Sequence, residues 1–167
     1  MKTVQFFLIV SCIAFLGYAG YQNREQVIGF FIGEPKYIVQ VGGVKIFVKI
    51  ADEPHERIQG LSGTESLGDF EGLLFAFDSS DRHGVWMKDM NYPIDIIWLN
   101  EEGVIVHIET RVSPRTYPKT FRPPVPARYV LEMNERMVES FNIRTGQQVI
   151  LPEPLSGQSL SNYGLVV

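Results

Sequence analysis

Apolar and polar positions alternate with period two through Tyr37-Ile38-Val39-Gln40-Val41 and again through Val44-Lys45-Ile46-Phe47-Val48-Lys49-Ile50, with Gly42-Gly43 between them. Period two is the repeat of a β-strand, and paired glycines supply the positive φ angles of a tight turn, so residues 37–50 are predicted to form a hairpin. The alternation stops at Asp52. This residue is expected to cap a short helix, with Pro54 in the first turn, where a missing N–H costs nothing, and Gly60 as the stop. Gly72 to Phe77 leaves no polar face and reads as a strand buried on both sides, closed by Asp78-Ser79-Ser80-Asp81. After a turn at His83-Gly84 comes Val85-Trp86-Met87-Lys88. Ile94–Leu99 and Val104–Arg111 then read as a second hairpin around Asn100-Glu101-Glu102-Gly103.

Five prolines between Pro114 and Pro126 break any helix or central strand and predict a long surface excursion. Arg128–Met133 returns as a strand, Asn134 is expected to cap a helix of about two turns, and Gln147–Leu151 reads as a last strand after Gly146. Short strands at this density predict a mainly β domain over residues 37–151: a compact antiparallel β-sandwich or barrel with two short helices. Residues 152–167 read as a loose tail.

The chain ahead of this domain has a different pattern. Thr3 to Asn23 carries no charge, and as one N-terminal hydrophobic helix these positions would span about 31 Å, the thickness of a bilayer core. Residues 1–22 therefore read as a transmembrane anchor or as a signal peptide with Gly17-Tyr18-Ala19 at the cleavage site, and 23–36 as a connector. Either reading puts the domain on the exported face of the cell envelope, membrane-anchored or secreted. Cys12 is the one cysteine, which excludes an intramolecular disulfide and a cysteine metal cluster; it reads as a small hydrophobe within the apolar segment.

A net charge of −4 and a pI near 5.4 give no reason to expect nucleic acid as a partner. The charge is unevenly placed. Between Asp52 and Glu109, 13 acidic residues face only Arg57, Arg82 and Lys88, whereas Arg111, Arg115, Lys119, Arg122 and Arg128 occupy an acid-free stretch. That basic stretch is expected to pack on the acidic body, the other reading being contact with an anionic polymer or lipid headgroup.

Strand parity puts Asp95 on the face of Ile97 and Leu99, and Glu132 on that of Val130 and Arg128, so both carboxylates fall among apolar neighbours and need partners. Arg57, Lys88 and Arg128 are the cations available. One reading is an ion-pair network that holds strand register. The other is a polar cleft in which Arg57 and Lys88 bind an anionic group, Trp86 offers a stacking surface, and Asp95 or Glu132 acts as acid or base. His55, His83 and His107 show no metal-ligand spacing, and no G-x-S-x-G elbow is present, so neither a metal nor another cofactor is expected.

Four ordered motifs carry a resemblance: Arg57-Ile58-Gln59-Gly60-Leu61; Gly72-Leu73-Leu74-Phe75-Ala76-Phe77; Trp86-Met87-Lys88-Asp89-Met90 with Pro93-Ile94-Asp95-Ile96-Ile97; and Tyr129-Val130-Leu131-Glu132-Met133. Together they resemble the domain-of-unknown-function family 192 from about Val44 to Leu151. The resemblance implies a small exported or membrane-anchored protein with a mainly β fold, and it brings no established activity. Ser62 and Thr64 stand where the family usually has Met and Arg, Asp89-Met90 where it has Asn-Thr, and the proline-rich loop lacks the cysteine pair of many members.

The expected function is a ligand-binding or accessory module for an anionic or sugar-like envelope component, tethered through the N-terminal segment, with Arg57, Trp86, Lys88, Asp95 and Glu132 as the candidate site. The alternatives are a metal-independent hydrolase or lyase using Asp95 and Glu132 as paired carboxylates, and a structural or protein-partner domain.

Overall fold

The computed structural model describes residues 37–156. The anchor or signal segment, the connector and most of the tail lie outside the described residues. Within them run β1 (Tyr37–Val41), β2 (Val44–Ala51), α1 (Pro54–Gln59), β3 (Glu71–Asp81), β4 (Val85–Trp86), β5 (Ile94–Leu99), β6 (Ile105–Val112), a 3-10 turn (Pro114–Thr116), β7 (Thr120–Phe121), β8 (Ala127–Asn134), α2 (Met137–Ser140) and α3 (Glu153–Ser156).

The fold is mainly β, built on a six-stranded sheet in the order β1-β2-β3-β8-β5-β6, with β4 and β7 as a separate two-stranded ribbon. Two features correct the expected arrangement. The sheet is open, with β1 and β6 as its outer strands, so there is no barrel. It is also mixed, because β2 and β3 run parallel, Phe47 opposite Glu71 and Ala51 opposite Phe75. A parallel pair needs a crossover rather than a tight turn, and the segment containing α1 supplies it. The β1–β2 hairpin forms as the pattern predicts, with Gly42 and Gly43 at φ 57° and 82°.

Alternation along the strands divides the buried residues between two faces. On the first, Val39, Ile46, Val48, Leu74, Ile97, Leu131 and Met133 join Val138, Ile143 and Val149 in the main core. On the second, the register stacks Leu73, Glu132 and Ile96 in one row across β3, β8 and β5, and Phe75, Val130 and Trp98 in the next. β8, the strand between β3 and β5, is buried on both sides over Tyr129–Met133. Its close approach to β3 needs a glycine: a Cβ at Gly72 would stand 2.6 Å from the Glu132 carbonyl oxygen.

Asp95 belongs to the first face, directly opposite Met133, and is fully buried. No cation meets it. One carboxylate oxygen accepts from the Arg111 amide at 2.8 Å and the other from the Val138 amide at 2.9 Å. The Val138 N–H lies in the first turn of α2, where no intrahelical acceptor exists, so Asp95 caps that helix from a neighbouring strand. The expected ion pair at Asp95 is therefore replaced by two charge-assisted backbone hydrogen bonds.

Three local expectations also shift. Glu53, not Asp52, is the N-cap of α1, and the Glu56 carboxylate accepts from the Asp52 and Glu53 amides. Asn134 ends β8 instead of capping a helix, and its side-chain amide donates to Leu67 and Gly68 carbonyls; α2 is one turn, begun by Arg136 at φ 70°. The segment 147–151 packs Val149 and Leu151 into the core and pairs through the isolated bridges Gln148 to Val104 and Ile150 to Gln40, and it forms no continuous strand.

Asp95→Ala leaves two buried amides without acceptors, so it should cost about 3 kcal/mol or more of unfolding free energy. Asp95→Asn, which keeps one oxygen acceptor, should lose less, and the urea midpoints of the two variants check the order.

Candidate functional site

A pocket of about 260 Å³ opens on the second face of the sheet. Its lining comes from three places: α1 and the following turn (Arg57, Ile58, Leu61), β3 (Phe75, Phe77), and the β4 segment (Val85, Trp86, Met90), with Glu132 contributed by β8. Each has a local cause. Pro54 and the Glu56 carboxylate start α1, and Gly60 at φ 51° ends it, turning the chain so that Leu61 is buried. The turn is tied to the segment after β4: Ser62 Oγ donates to the Lys88 carbonyl at 2.7 Å, and the Gly63 amide to the Asp89 carbonyl at 2.8 Å. Asp89 itself sits at φ 53°, a left-handed position that Asn and Asp tolerate better than most residues. Thr64 and Tyr92 complete the tie with a hydroxyl pair at 2.6 Å.

The structure separates the five candidate residues. Arg57, Trp86 and Glu132 line the pocket; Lys88 and Asp95 do not. Lys88 is exposed, and only its carbonyl has a part in positioning the site. Asp95 faces the opposite side of the sheet, because its register partner is Met133 and not Glu132. The pair of carboxylates required by the hydrolase or lyase reading therefore does not share a cleft.

Arg57 is present but committed. Its Nη1 donates to the Asp52 carbonyl and, at 2.9 Å, to the Ala76 carbonyl; Nη2 lies 3.9 Å from the Asp78 carboxylate. Its guanidinium carbon is 5.5 Å from the centroid of the Phe77 ring. The His83 ring also stacks on Phe77, at 3.6 Å and 5°. Arg57 therefore serves as a strut between α1 and β3 rather than as a free anion receptor.

Glu132 differs from every other buried polar group. It is 4% exposed, and among the described residues no hydrogen-bond or ion-pair partner meets its carboxyl. Burial alone pushes its pKa from 4.5 up to about 8, so it is mostly protonated at neutral pH, with an O–H to donate and a carbonyl oxygen to accept. Trp86, also in the lining, is 44% exposed. Trp98 is instead a core residue whose indole N–H donates to the His83 carbonyl. Among the described residues, no group of three or more His, Cys, Asp or Glu is placed to hold a metal ion.

The basic loop packs mostly on its own domain. Arg111 lies 4.0 Å from Glu139 and Arg128 3.9 Å from Glu101. Arg122 donates to the Arg82 carbonyl, and Arg82 in return to the Pro123 carbonyl. Lys119 lies over the Phe121 ring at 4.2 Å.

Residues 37–151 match the family DUF192, described as Uncharacterized ACR, over more than half of the chain. The chain belongs to this family. Two solved structures share the fold of this DUF192 domain. One, a putative transcription regulator from Sinorhizobium meliloti 1021, is 25% identical, with 72% of this chain and 96% of the other covered and a TM-score of 0.67. The other, a protein of unknown function from Novosphingobium aromaticivorans DSM 12444, is 26% identical, with 68% and 83% covered and a TM-score of 0.64. No curated protein matches the chain. The Arg57–Leu61 and Trp86–Met90 motifs of the DUF192 domain meet at this pocket. Phe77 and Met90 complete a lining that period-two reasoning assigns only to buried strand and loop.

Between pH 4.5 and about 8 the folded chain keeps a proton on Glu132 that the unfolded chain releases, so this group makes stability fall as pH rises through that window. Glu132→Gln has no such group. Its melting temperature should match the parent at pH 4 and exceed it increasingly toward pH 8, with a gain on the order of several kcal/mol; thermal unfolding of both chains across the range checks it.

Proposed function

We propose that the domain is a small-ligand binding module whose pocket takes a neutral, hydroxyl-bearing ring, a sugar-like compound more than an anion. The observation that carries this reading is the Glu132 carboxyl at the pocket, 4% exposed and unpaired among the described residues, where burial pushes its pKa up to about 8. No fully buried side-chain oxygen among the described residues lacks a partner, so the unpaired Glu132 carboxyl keeps a sliver of surface open, where a ligand hydroxyl or carbonyl can hydrogen-bond to it. Trp86 offers an exposed ring face, and Ile58, Leu61, Phe75, Phe77 and Val85 supply apolar walls, the usual pairing of a mostly apolar cavity with a few polar groups that orient the occupant.

An anionic ligand is less well served. The guanidinium of Arg57 is held by two carbonyls and Asp78, and a protonated Glu132 adds no positive charge to hold a negative group. The acid–base reading has one carboxyl here rather than two, which supports binding over hydrolysis. The uncharged stretch at residues 3–23 supports a place for this module at the cell envelope, held to or exported across the membrane. The ligand class follows as a soluble or headgroup-borne sugar-like component of that compartment.

The test is a thermal-shift and intrinsic-fluorescence screen of the detergent-solubilised chain against methyl glycosides, N-acetylhexosamines and, for contrast, sugar phosphates. Neutral glycosides should raise the melting temperature, with Trp86→Ala and Glu132→Ala each weakening binding by about tenfold. A shift that survives both substitutions, or that only the phosphates produce, would sink the reading.

A further inference from the structure

The second face of the sheet carries the pocket around Glu132, yet its β1–β2 wing is bare. Ile38 and Phe47 are direct cross-strand partners there, 44% and 43% exposed. Ile150 pairs with Gln40 in an antiparallel bridge, so it projects to the same face as Gln40 and Ile38, and it is 39% exposed. Lys45 and Lys49 lie two residues either side of Phe47 on β2, on that face and exposed. Two nearby acids accept backbone hydrogen bonds: Glu71, opposite Phe47, from the Gly68 amide at 3.1 Å, and Glu56 from the Asp52 and Glu53 amides.

We propose that this wing docks on an anionic lipid surface, with Ile38, Phe47 and Ile150 at the acyl boundary and Lys45 and Lys49 on lipid phosphates. The inference rests on the reading of residues 3–23 as a membrane anchor. Chain length argues for the bilayer as occupant. The uncharged stretch ends at Asn23 and β1 begins at Tyr37, 14 residues later, a reach of at most about 50 Å. β1 is the first described element after that stretch, and Lys36 precedes it directly in the sequence. Three apolar side chains and a few lysines bind a membrane weakly on their own, and a tether converts weak binding into stable seating. Apolar groups flanked by lysines suit the headgroup layer.

The test uses the full chain reconstituted in phosphatidylcholine vesicles with and without phosphatidylglycerol. A reporter tryptophan is placed by Phe47→Trp and, in a second chain, by Ile38→Trp; both positions are exposed, and melting temperatures confirm folding. Brominated acyl chains should quench the added tryptophan at least about twofold more with phosphatidylglycerol than without, and Lys45→Glu with Lys49→Glu or high salt should abolish the difference. Equal quenching in both vesicle types, in a chain that resists carbonate extraction, overturns the docking surface and leaves the anchor standing. Shielding of the reporter from iodide without any quenching by lipid assigns the patch to the protein's own ends and also overturns the proposal. Release of the chain by carbonate removes the anchor reading; salt-sensitive quenching in that case still supports docking.

Discussion

A carboxylate buried in a sheet is destabilising by several kcal/mol unless donors meet it, and this domain places two of them on adjacent strands. Asp95 and Glu132 lie one register step apart, on opposite faces of the β5–β8 pair. Asp95 has its donors: two backbone amides from the end of β6 and the start of α2 hold it, and in doing so they fix where both segments join the sheet. Glu132 has none among the described residues, and it avoids the cost by staying protonated. One carboxyl organises the core while the other opens toward a pocket.

The rest of the second face follows from β8 being central. A strand buried on both sides requires a cover over Glu132. The α1 crossover provides one wall because β2 and β3 run parallel, and β4 provides the other. Arg57 joins α1 to the carbonyl of Ala76 and to the Phe77 ring, so the cation that might have neutralised Glu132 is used to assemble the pocket instead. The outcome is a cavity with aromatic and aliphatic walls and a single neutral acid.

Much of the fold was legible along the chain. β1 and β5 fall where alternation and apolar runs place them, the paired glycines turn the first hairpin, and Pro54 and Gly60 bound α1. Errors cluster at ends. Gln147–Leu151 has strand composition but gains only isolated bridges, and Asn134 bonds to the Leu67 and Gly68 carbonyls rather than to a helix. In each case a partner distant in sequence outweighs a local propensity. The site was half legible. Buried carboxylates at positions 95 and 132 follow from strand parity, but parity within a strand says nothing about which residues of two strands are opposed.

Local pattern is a property of neighbours in sequence, and it determined the mainly β class, the two polar residues that burial would trouble, and a membrane-length apolar segment ahead of the domain. Register and crossover are properties of strands brought together from far apart. Only they decided that β2 and β3 pair in parallel, that the sheet stays open, that Asp95 faces Met133 and the main core, and that Arg57, Trp86 and Glu132 surround one pocket. A one-residue change of register between β5 and β8 would put Asp95 and Glu132 on the same face, which is why the chemistry of the pair lay beyond any reading of the chain alone.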